Sequence, residues 1–170
     1  IMDFGAVQCT PQSPNCLFCP LSGSCRALSE GKVQQLPVKQ HRTKTTSRYF
    51  NYIYVRMGAH TLIHKRTEDD IWKNLFELPL VETEKDLSEE EFLACPQFHA
   101  LFAEGEVRMV RTLLRGVKHV LSHRVIYTNF YQVTLPDNSS SFSSYQRVAV
   151  EDLGRYAVPR LIHAFLEKYV

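Results

Sequence analysis

The spacing of apolar residues predicts a chain that is rich in β-strands after residue 48. Tyr49–Met57 is dense in aromatic and β-branched residues and Gly58–His60 suits a turn, so Thr61–Lys65 predicts the returning strand of a hairpin. Val107–Leu114 predicts a further strand. Lys118–Leu135 shows the clearest alternation, which predicts one long strand with an apolar face and a polar face.

Helical patterns interrupt and close this region. Ser88 and Glu91 match a capping box, which predicts the start of a helix, and Pro96 should break or restart that helix. Asp137–Ser144 predicts a polar loop. The last helix is predicted to begin near Pro159, and its apolar stripe comprises Leu161, Ile162, Phe165, Leu166 and Tyr169. Strands mixed with helices, without a regular alternation of the two, predict an α+β fold.

Four of the five cysteines lie near the start of the chain, with the spacing Cys9-x6-Cys16-x2-Cys19-x5-Cys25. Disulfides would need an oxidising compartment, and the sequence shows no export signal. Zinc sites usually use two separated Cys-x2-Cys pairs, whereas this segment has one. Four thiolates in one compact loop suit the larger [4Fe–4S] cube. The spacing favours an iron–sulfur cluster and leaves zinc as the alternative; Cys95 stands apart and predicts a buried structural thiol.

The cysteine segment resembles a known family. The run Ile-Met-Asp-Phe-Gly-Ala-Val-Gln-Cys-Thr-Pro at positions 1–11, with the Cys-Pro-Leu at 19–21, resembles the last helix and cluster loop of the helix-hairpin-helix DNA glycosylases. Within that superfamily it is most similar to the MutY-type adenine DNA glycosylases. The resemblance implies that Arg26, and Lys32 as a second cation, face DNA. It also implies a [4Fe–4S] cluster in the intact protein, bound by Cys9, Cys16, Cys19 and Cys25.

The same resemblance implies three regions. Residues 1–28 would be the end of the helix-hairpin-helix domain with its iron–sulfur loop, residues 29–47 an interdomain linker, and residues 48–170 an 8-oxoguanine recognition domain. The polar composition of residues 29–47, with Gly31 and Pro37, suits a linker. Lys39 in this segment and Arg48 directly after it are candidate DNA contacts. The alternative is that the segment is an inert spacer.

The recognition domain is expected to have a Nudix-like fold. Ile71–Pro79 resembles the entry to a Nudix box, which would continue with glycines and a helix of paired acidic residues that bind a divalent metal. Leu80–Thr83 stands where the glycines would be, and Glu89–Glu91 point in different directions on a helix. The resemblance therefore implies a Nudix-like mixed sheet with flanking helices and no hydrolase box. Nudix-type hydrolysis of nucleoside diphosphates is one alternative, and a zinc-binding nucleic-acid module is another.

The segment His-Val-Leu-Ser-His-Arg at 119–124 lies beside the clearest strand. It resembles the MutY loop that typically reads Phe-Ser-His and contacts 8-oxoguanine. By position Leu121 takes the aromatic place, Ser122 the serine and His123 the histidine, while His119 and Arg124 flank them as further candidate contacts. A hydroxyl can both donate and accept, which suits the N7 hydrogen of 8-oxoguanine and a neighbouring carbonyl. Leu121 departs from the pattern, because an aliphatic side chain fills space but does not stack like a ring.

The function implied by the resemblance is base excision repair. The parent enzyme would remove adenine mispaired with 8-oxoguanine after flipping the adenine out of the duplex, so duplex DNA with that mispair is the expected partner. In the family the catalytic Glu and Asp lie upstream of the cluster. No catalytic residue is therefore predicted in this chain, and we expect the chain alone not to excise adenine.

Charge is unevenly distributed along the chain. The segment Lys32–Arg66 has eight Lys or Arg and no acid, Thr67–Glu106 has twelve acids and two bases, and Val107–Arg147 has six bases and one acid. The basic stretches predict either a positive face for phosphates or only an uneven surface. The acidic stretch is a candidate surface for a partner protein. No apolar run approaches a membrane span. Together with this, the resemblance implies a cytoplasmic, DNA-associated protein, and we expect it to be a monomer.

Overall fold

The computed structural model describes residues 2–10, 12–36, 45–139 and 141–170. The chain divides into two compact units, Ile1–Thr43 and Lys44–Val170. Within the described ranges no helix is long and apolar enough to cross a membrane.

The first unit is built from short helical pieces joined by loops. Helix α1 spans Met2–Gln8, a single 3₁₀ turn spans Ser22–Ser24, and helix α2 spans Arg26–Ser29. None of these pieces buries a side chain fully. Helices this short are marginal by themselves, so this unit needs interactions other than an apolar core to hold its shape.

The second unit contains seven strands and three helices among its described residues. The strands are β1 (Thr46–Arg56), β2 (His60–Lys65), β3 (Phe76–Glu77), β4 (Leu80–Thr83), β5 (Met109–Val120), β6 (Arg124–Thr134) and β7 (Gln146–Ala149). The helices are α3 (Glu89–Leu93), α4 (Pro96–His99) and α5 (Arg160–Tyr169), with a 3₁₀ segment at Val150–Arg155. This mixture confirms the predicted α+β class.

The strands form two sheets. The larger sheet has the order β4-β1-β6-β5, and the smaller has the order β3-β2-β7. Strands β1 and β6 run parallel along their whole length, whereas the other neighbours are antiparallel. The result is the mixed, Nudix-like sheet arrangement that the sequence led us to expect.

Both faces of the central strands β1 and β6 are buried, and they contribute to two apolar cores. The first core contains even-numbered residues of both strands, such as Tyr52 and Phe130, together with Phe165 of α5. The second core contains odd-numbered residues, such as Val55 and Tyr131, and the aromatic side chains of α3 and α4. The Phe130 and Phe165 rings stack with centroids 4.1 Å apart, so α5 is fixed on the first core.

Several predicted elements are confirmed. The capping box is present, because the Ser88 hydroxyl accepts from the Glu91 amide and the Glu91 carboxylate accepts from the Ser88 amide. Helix α4 restarts at Pro96, and α5 begins directly after Pro159. The polar segment 137–144 contains no regular element among its described residues.

Two strand predictions were wrong in detail. Lys118–Leu135 is not one strand, because the chain turns back at residues 121–123 between β5 and β6. The face of β6 that was predicted to be polar is apolar as well, since Ile126 and Phe130 are fully buried on it. Strands β1 and β2 share only the Met57–His60 bridge and then diverge into different sheets, so they do not form the regular hairpin that was predicted.

Candidate functional site

The predicted recognition residues lie at the tip of the β5–β6 hairpin. The Leu121 amide donates to the Arg124 carbonyl at 2.8 Å, which closes the turn. The Thr46 amide donates to the His123 carbonyl at 3.2 Å, which ties the turn to the start of β1. The backbone of the tip is therefore held from two strands, and its side chains project from a fixed frame.

The side chains of the tip differ in exposure. Ser122 and His123 are exposed, whereas Leu121 is half-buried and packs against the first core. The three residues and Arg124 line one cleft of about 490 Å³, whose opposite wall is Asp69–Ile71. Ser122 and His123 are free to contact a ligand, but Leu121 already has a packing role.

Asp70 joins three arginines beside this cleft. Its carboxylate accepts from Arg48 at 2.6 Å, from Arg66 at 3.1 Å and from Arg124. Arg48 also makes a bidentate pair with Glu82, at 2.6 Å for both bonds. The predicted DNA contacts of Arg48 and Arg124 thus compete with ion pairs inside the protein, and no pattern in the sequence predicted this cluster.

The surroundings of Asp70 favour its charged form. Burial alone would raise its pKa, but hydrogen bonds from Arg48, the Ile71 amide and Arg124 outweigh burial and hold the pKa well below its usual range. A depressed carboxyl pKa contributes stability that is complete above the unfolded-state pKa, and that stability disappears as the pH falls through the folded-state pKa.

Replacing Asp70 by asparagine is therefore expected to flatten the acid side of the stability profile. At pH 7 the variant should lose about 1 kcal/mol of unfolding free energy, because partly exposed ion pairs are individually weak. Below about pH 4 the difference from the unmodified chain should begin to shrink, because the Asp70 carboxyl of the unfolded chain becomes protonated there while that of the folded chain stays charged. Urea titrations between pH 3 and 7 measure both. Asp69→Asn is the matched control, since Asp69 is 98% exposed; an equal effect of the two substitutions would contradict the role of the cluster.

His119 is placed away from the open part of the tip. Its ring packs near the Trp72 indole, with centroids 5.8 Å apart, and it is only partly exposed. Trp72 in turn makes an edge contact with Phe50 of the first core, at 6.1 Å. His119 therefore packs on the core, through Trp72, and its predicted contact with DNA stays a prediction.

A second polar site, which sequence reasoning missed, lies around a buried carboxylate. Glu77 is 2% exposed and accepts two hydrogen bonds from Arg66, at 2.8 and 2.9 Å, and one from the Tyr52 hydroxyl at 3.0 Å. Burial, and then the Glu77 charge, raise the pKa of Tyr52 well above its usual value. Glu77 and Arg66 line a polar cavity of about 350 Å³ that is also lined by His64 and Tyr145. The cluster neutralises a charge inside the fold and holds β2 and β3 to β1.

The four clustered cysteines of the first unit line one small cavity. All are free thiols; Cys9 is exposed and the other three are partly buried. Turns in the loop bring them together: the Cys19 amide donates to the Cys16 carbonyl at 3.2 Å, and the Ser29 amide donates to Cys25 at 3.0 Å. Across residues 2–10, 12–36, 45–139 and 141–170, no three His, Cys, Asp or Glu side chains are close enough to hold one metal ion.

Two basic residues predicted to lie near the cluster, Arg26 and Lys32, pair with the same glutamate. Arg26 donates to Glu30 at 2.5 Å, and Lys32 donates to the same carboxylate at 2.7 Å. Both cations remain exposed at the surface of the first unit. Lys39 lies outside the described residues.

Comparison with protein families and curated proteins gives a consistent result. Residues 51–168 match the model of the NUDIX domain. An adenine DNA glycosylase of Buchnera aphidicola from Acyrthosiphon pisum is 26% identical over 172 residues, which cover 99% of this chain and 46% of that protein. The homologue from the Schizaphis graminum strain is 36% identical over 83 residues, 49% of this chain and 24% of that protein. The chain thus spans less than half the length of these relatives.

Solved structures show the same fold at low sequence identity. The C-terminal domain of mouse MUTYH, solved in complex with human PCNA, gives a TM-score of 0.58 at 14% identity, covering 72% of this chain and 86% of that one. A MutT structure from a study of Aliivibrio salmonicida and Vibrio cholerae gives 0.51 at 16% identity, covering 72% and 96%. At 14% and 16% identity, these two similarities show a shared fold and nothing about function.

Proposed function

Because this chain belongs to the NUDIX domain family and aligns along its length with an adenine DNA glycosylase, we propose that it is the lesion-recognising part of such a glycosylase. The parent enzyme would act in base excision repair and remove adenine mispaired with 8-oxoguanine. This chain would bind duplex DNA and inspect the oxidised guanine, and it would carry the iron–sulfur loop. The glycosylase relatives extend well beyond the aligned region, which leaves room for a separate catalytic domain.

The observation that carries this proposal is the exposed pair Ser122 and His123 on a hairpin tip whose backbone is fixed by two strands. The Ser122 hydroxyl can accept from the N7 hydrogen of 8-oxoguanine, which guanine lacks, and can donate to a neighbouring carbonyl. His123 can donate to the base or to a phosphate. A rigid tip with two exposed polar groups suits the reading of one base edge.

Hydrolysis of nucleoside diphosphates is the weaker alternative. Glu91 of α3 is engaged in the capping box, and Glu90 is an exposed residue of the same turn. In the parts of the chain that the structure describes, no three acidic or histidine side chains approach closely enough for a metal ion. The acids of α3 are therefore better explained as the favourable negative charge at a helix start.

Ser122→Ala is expected to lower the preference for 8-oxoguanine over guanine by about tenfold. The loss corresponds to about 1.4 kcal/mol, the usual contribution of one well-placed hydrogen bond to a polar partner. Dissociation constants for duplexes with 8-oxoguanine·adenine and guanine·adenine, measured at one salt concentration, give the preference. Ser144→Ala is the control, because Ser144 is exposed in the polar loop. An unchanged ratio in the Ser122 variant would remove the assignment of the hairpin tip.

We further propose that Cys9, Cys16, Cys19 and Cys25 bind a [4Fe–4S] cluster. The residues fit: four free thiols line one cavity, and a [4Fe–4S] cube needs four sulfur ligands. Zinc binds each thiolate at about 2.3 Å, which requires the four sulfurs to be within about 4 Å of one another. A cube accepts more widely spaced sulfurs, because each thiolate binds a different iron. The bound cluster would supply a rigid centre to a unit whose helices are too short to be stable alone.

A further inference from the structure

The two faces of the larger sheet differ in charge near the hairpin tip. On the even-numbered face, Arg48 and Arg124 are both paired with Asp70, and Arg48 is also paired with Glu82. Every arginine of this group has a carboxylate partner, so the face offers little net attraction to a phosphate. The odd-numbered face near the tip has a different composition.

The opposite face of the sheet, which carries the odd-numbered residues of β1 and β6, has an aromatic and basic row across four strands. Tyr49 of β1 is opposite Thr83 of β4 and Tyr127 of β6, and Tyr127 is opposite Lys118 of β5. The two tyrosine rings stack, with centroids 5.4 Å apart and planes within 17°. The next row toward the tip pairs Val120 with Val125. We call these residues the tip face: Tyr49, Lys118, Val120, Val125 and Tyr127.

The tip face is open although the rest of the same sheet face is covered. Further along β1 and β6, residues such as Val55 and Tyr131 are fully buried with the aromatic side chains of α3 and α4. In contrast the two tyrosines are half-buried, Lys118 is exposed, and Val120 is 65% exposed. A row of half-buried stacked rings beside an exposed lysine and an exposed valine requires an explanation, because it is continuous with the candidate recognition tip.

Lys118 is chemically available. Within the described ranges it belongs to no ion pair, unlike the arginines of the opposite face. Arg115, the preceding cation of β5, is exposed and donates to the Leu87 carbonyl at 2.7 Å, and it makes no ion pair with the residues that the structure describes. Ser122 is four positions after Lys118, which is at most about 13 Å of extended chain and corresponds to about four nucleotides along a DNA strand.

We propose that the tip face binds the sugar–phosphate backbone of duplex DNA beside the base that the hairpin tip inspects. Lys118 would neutralise a phosphate, and Tyr49 and Tyr127 would offer hydroxyl donors and an apolar surface for sugars. DNA is the occupant that fits best, because the free cation lies on the same strand as the recognition tip. This inference rests on the proposed function, which supplies the DNA and the base.

The test compares Lys118→Glu, Lys118→Arg and Tyr127→Ala with the unmodified 170-residue chain on 8-oxoguanine·adenine and guanine·adenine duplexes at several salt concentrations. We expect Lys118→Glu to weaken binding to both duplexes by the same factor, about three- to tenfold. The slope of log affinity against log salt should fall by about 1, and Lys118→Arg should restore it. Tyr127→Ala should weaken both duplexes equally with little change in slope. Lys65→Glu on the smaller sheet is the charge-matched control.

The outcomes separate the two proposals. If Lys118→Glu and Tyr127→Ala bind as tightly as the Lys65→Glu control, the tip face does not bind DNA, and an apolar protein partner becomes its occupant. If Lys118→Glu weakens binding but the chain does not distinguish oxidised from normal guanine, the tip face stands and the proposed function fails. A chain that binds neither duplex overturns both. Unchanged thermal unfolding of each variant excludes loss of folding as the cause.

Discussion

Glu77→Ala is expected to lower the free energy of unfolding by about 3–5 kcal/mol, because the buried Arg66 guanidinium loses both hydrogen bonds to Glu77 and keeps only the longer one to Asp70, at 3.1 Å, among its carboxylate contacts in the described residues. Arg66 is 8% exposed and makes two hydrogen bonds to Glu77. Tyr52 loses its acceptor at the same time. Domains of this kind are stable by about 5–15 kcal/mol, so the loss is a large fraction of the total. Urea denaturation followed by tryptophan fluorescence measures it, since Trp72 is the single tryptophan.

Two further variants make this prediction specific. Glu82→Ala removes a carboxylate that is 40% exposed and should cost less than about 1 kcal/mol. Replacing both partners, as Arg66→Met with Glu77→Leu, removes the buried guanidinium charge together with its carboxylate and should recover much of the stability. If Glu77→Ala costs no more than Glu82→Ala, or the double variant is the least stable of all, the buried pair does not have the role assigned to it.

Cys19→Ser is expected to abolish the iron content of the protein, from about four irons per chain to nearly none. A [4Fe–4S] cube needs four sulfur ligands, and a serine hydroxyl is a poor substitute for a thiolate. Iron and acid-labile sulfide assays on anaerobically prepared protein, with a visible absorption spectrum, measure the change. The first unit should also lose protease resistance, because no fully buried side chain holds its helices.

Cys95→Ser is the matched control for the cysteine prediction. Cys95 lies in the second unit and packs against the second core, so its substitution should leave iron unchanged. Equal iron loss in both variants would show that the assignment of ligands is wrong. A colourless protein that contains stoichiometric zinc would favour the rival metal instead.

Local patterns predicted the elements of this fold better than their arrangement. Ser88 and Glu91 specify a helix start through their own side chains, so the capping box was readable from sequence. The turn at residues 121–123 was not, because Leu-Ser-His contains neither Gly nor Pro to mark it. The alternation of apolar and polar residues in β5 continues into β6, so the two strands were predicted as one.

The candidate site shows the same limit. The sequence named Ser122 and His123, and the structure places both on one exposed tip. It also named Arg48, whose partners Asp70 and Glu82 lie 22 and 34 residues away along the chain. Pairings across such distances depend on sheet topology, which no local pattern encodes. The acidic stretch 67–106 likewise looked like one surface, whereas its member Glu77 is buried.

The tip face depends on register in the same way. Tyr49 and Tyr127 are neighbours only because β1 and β6 run parallel and in the register that the structure shows. Lys118 joins them through the antiparallel pairing of β5 with β6. A bulge precedes Lys118: Gly116, with a φ of +68°, donates its amide to the Asn129 side chain at 2.9 Å. Such a bulge shifts which side chains reach each face, so the face could not be assigned by counting alternate residues.

We propose that the tip of the β5–β6 hairpin recognises the oxidised base. Amide chemical shifts of the isotopically labelled chain, recorded with an 8-oxoguanine·adenine duplex and then with the matched guanine·adenine duplex, test it most directly. We expect the two spectra to differ mainly at residues 121–124, while other DNA-induced shifts are common to both. Identical spectra, or a difference centred on the polar cavity around Arg66 and Glu77, would contradict it.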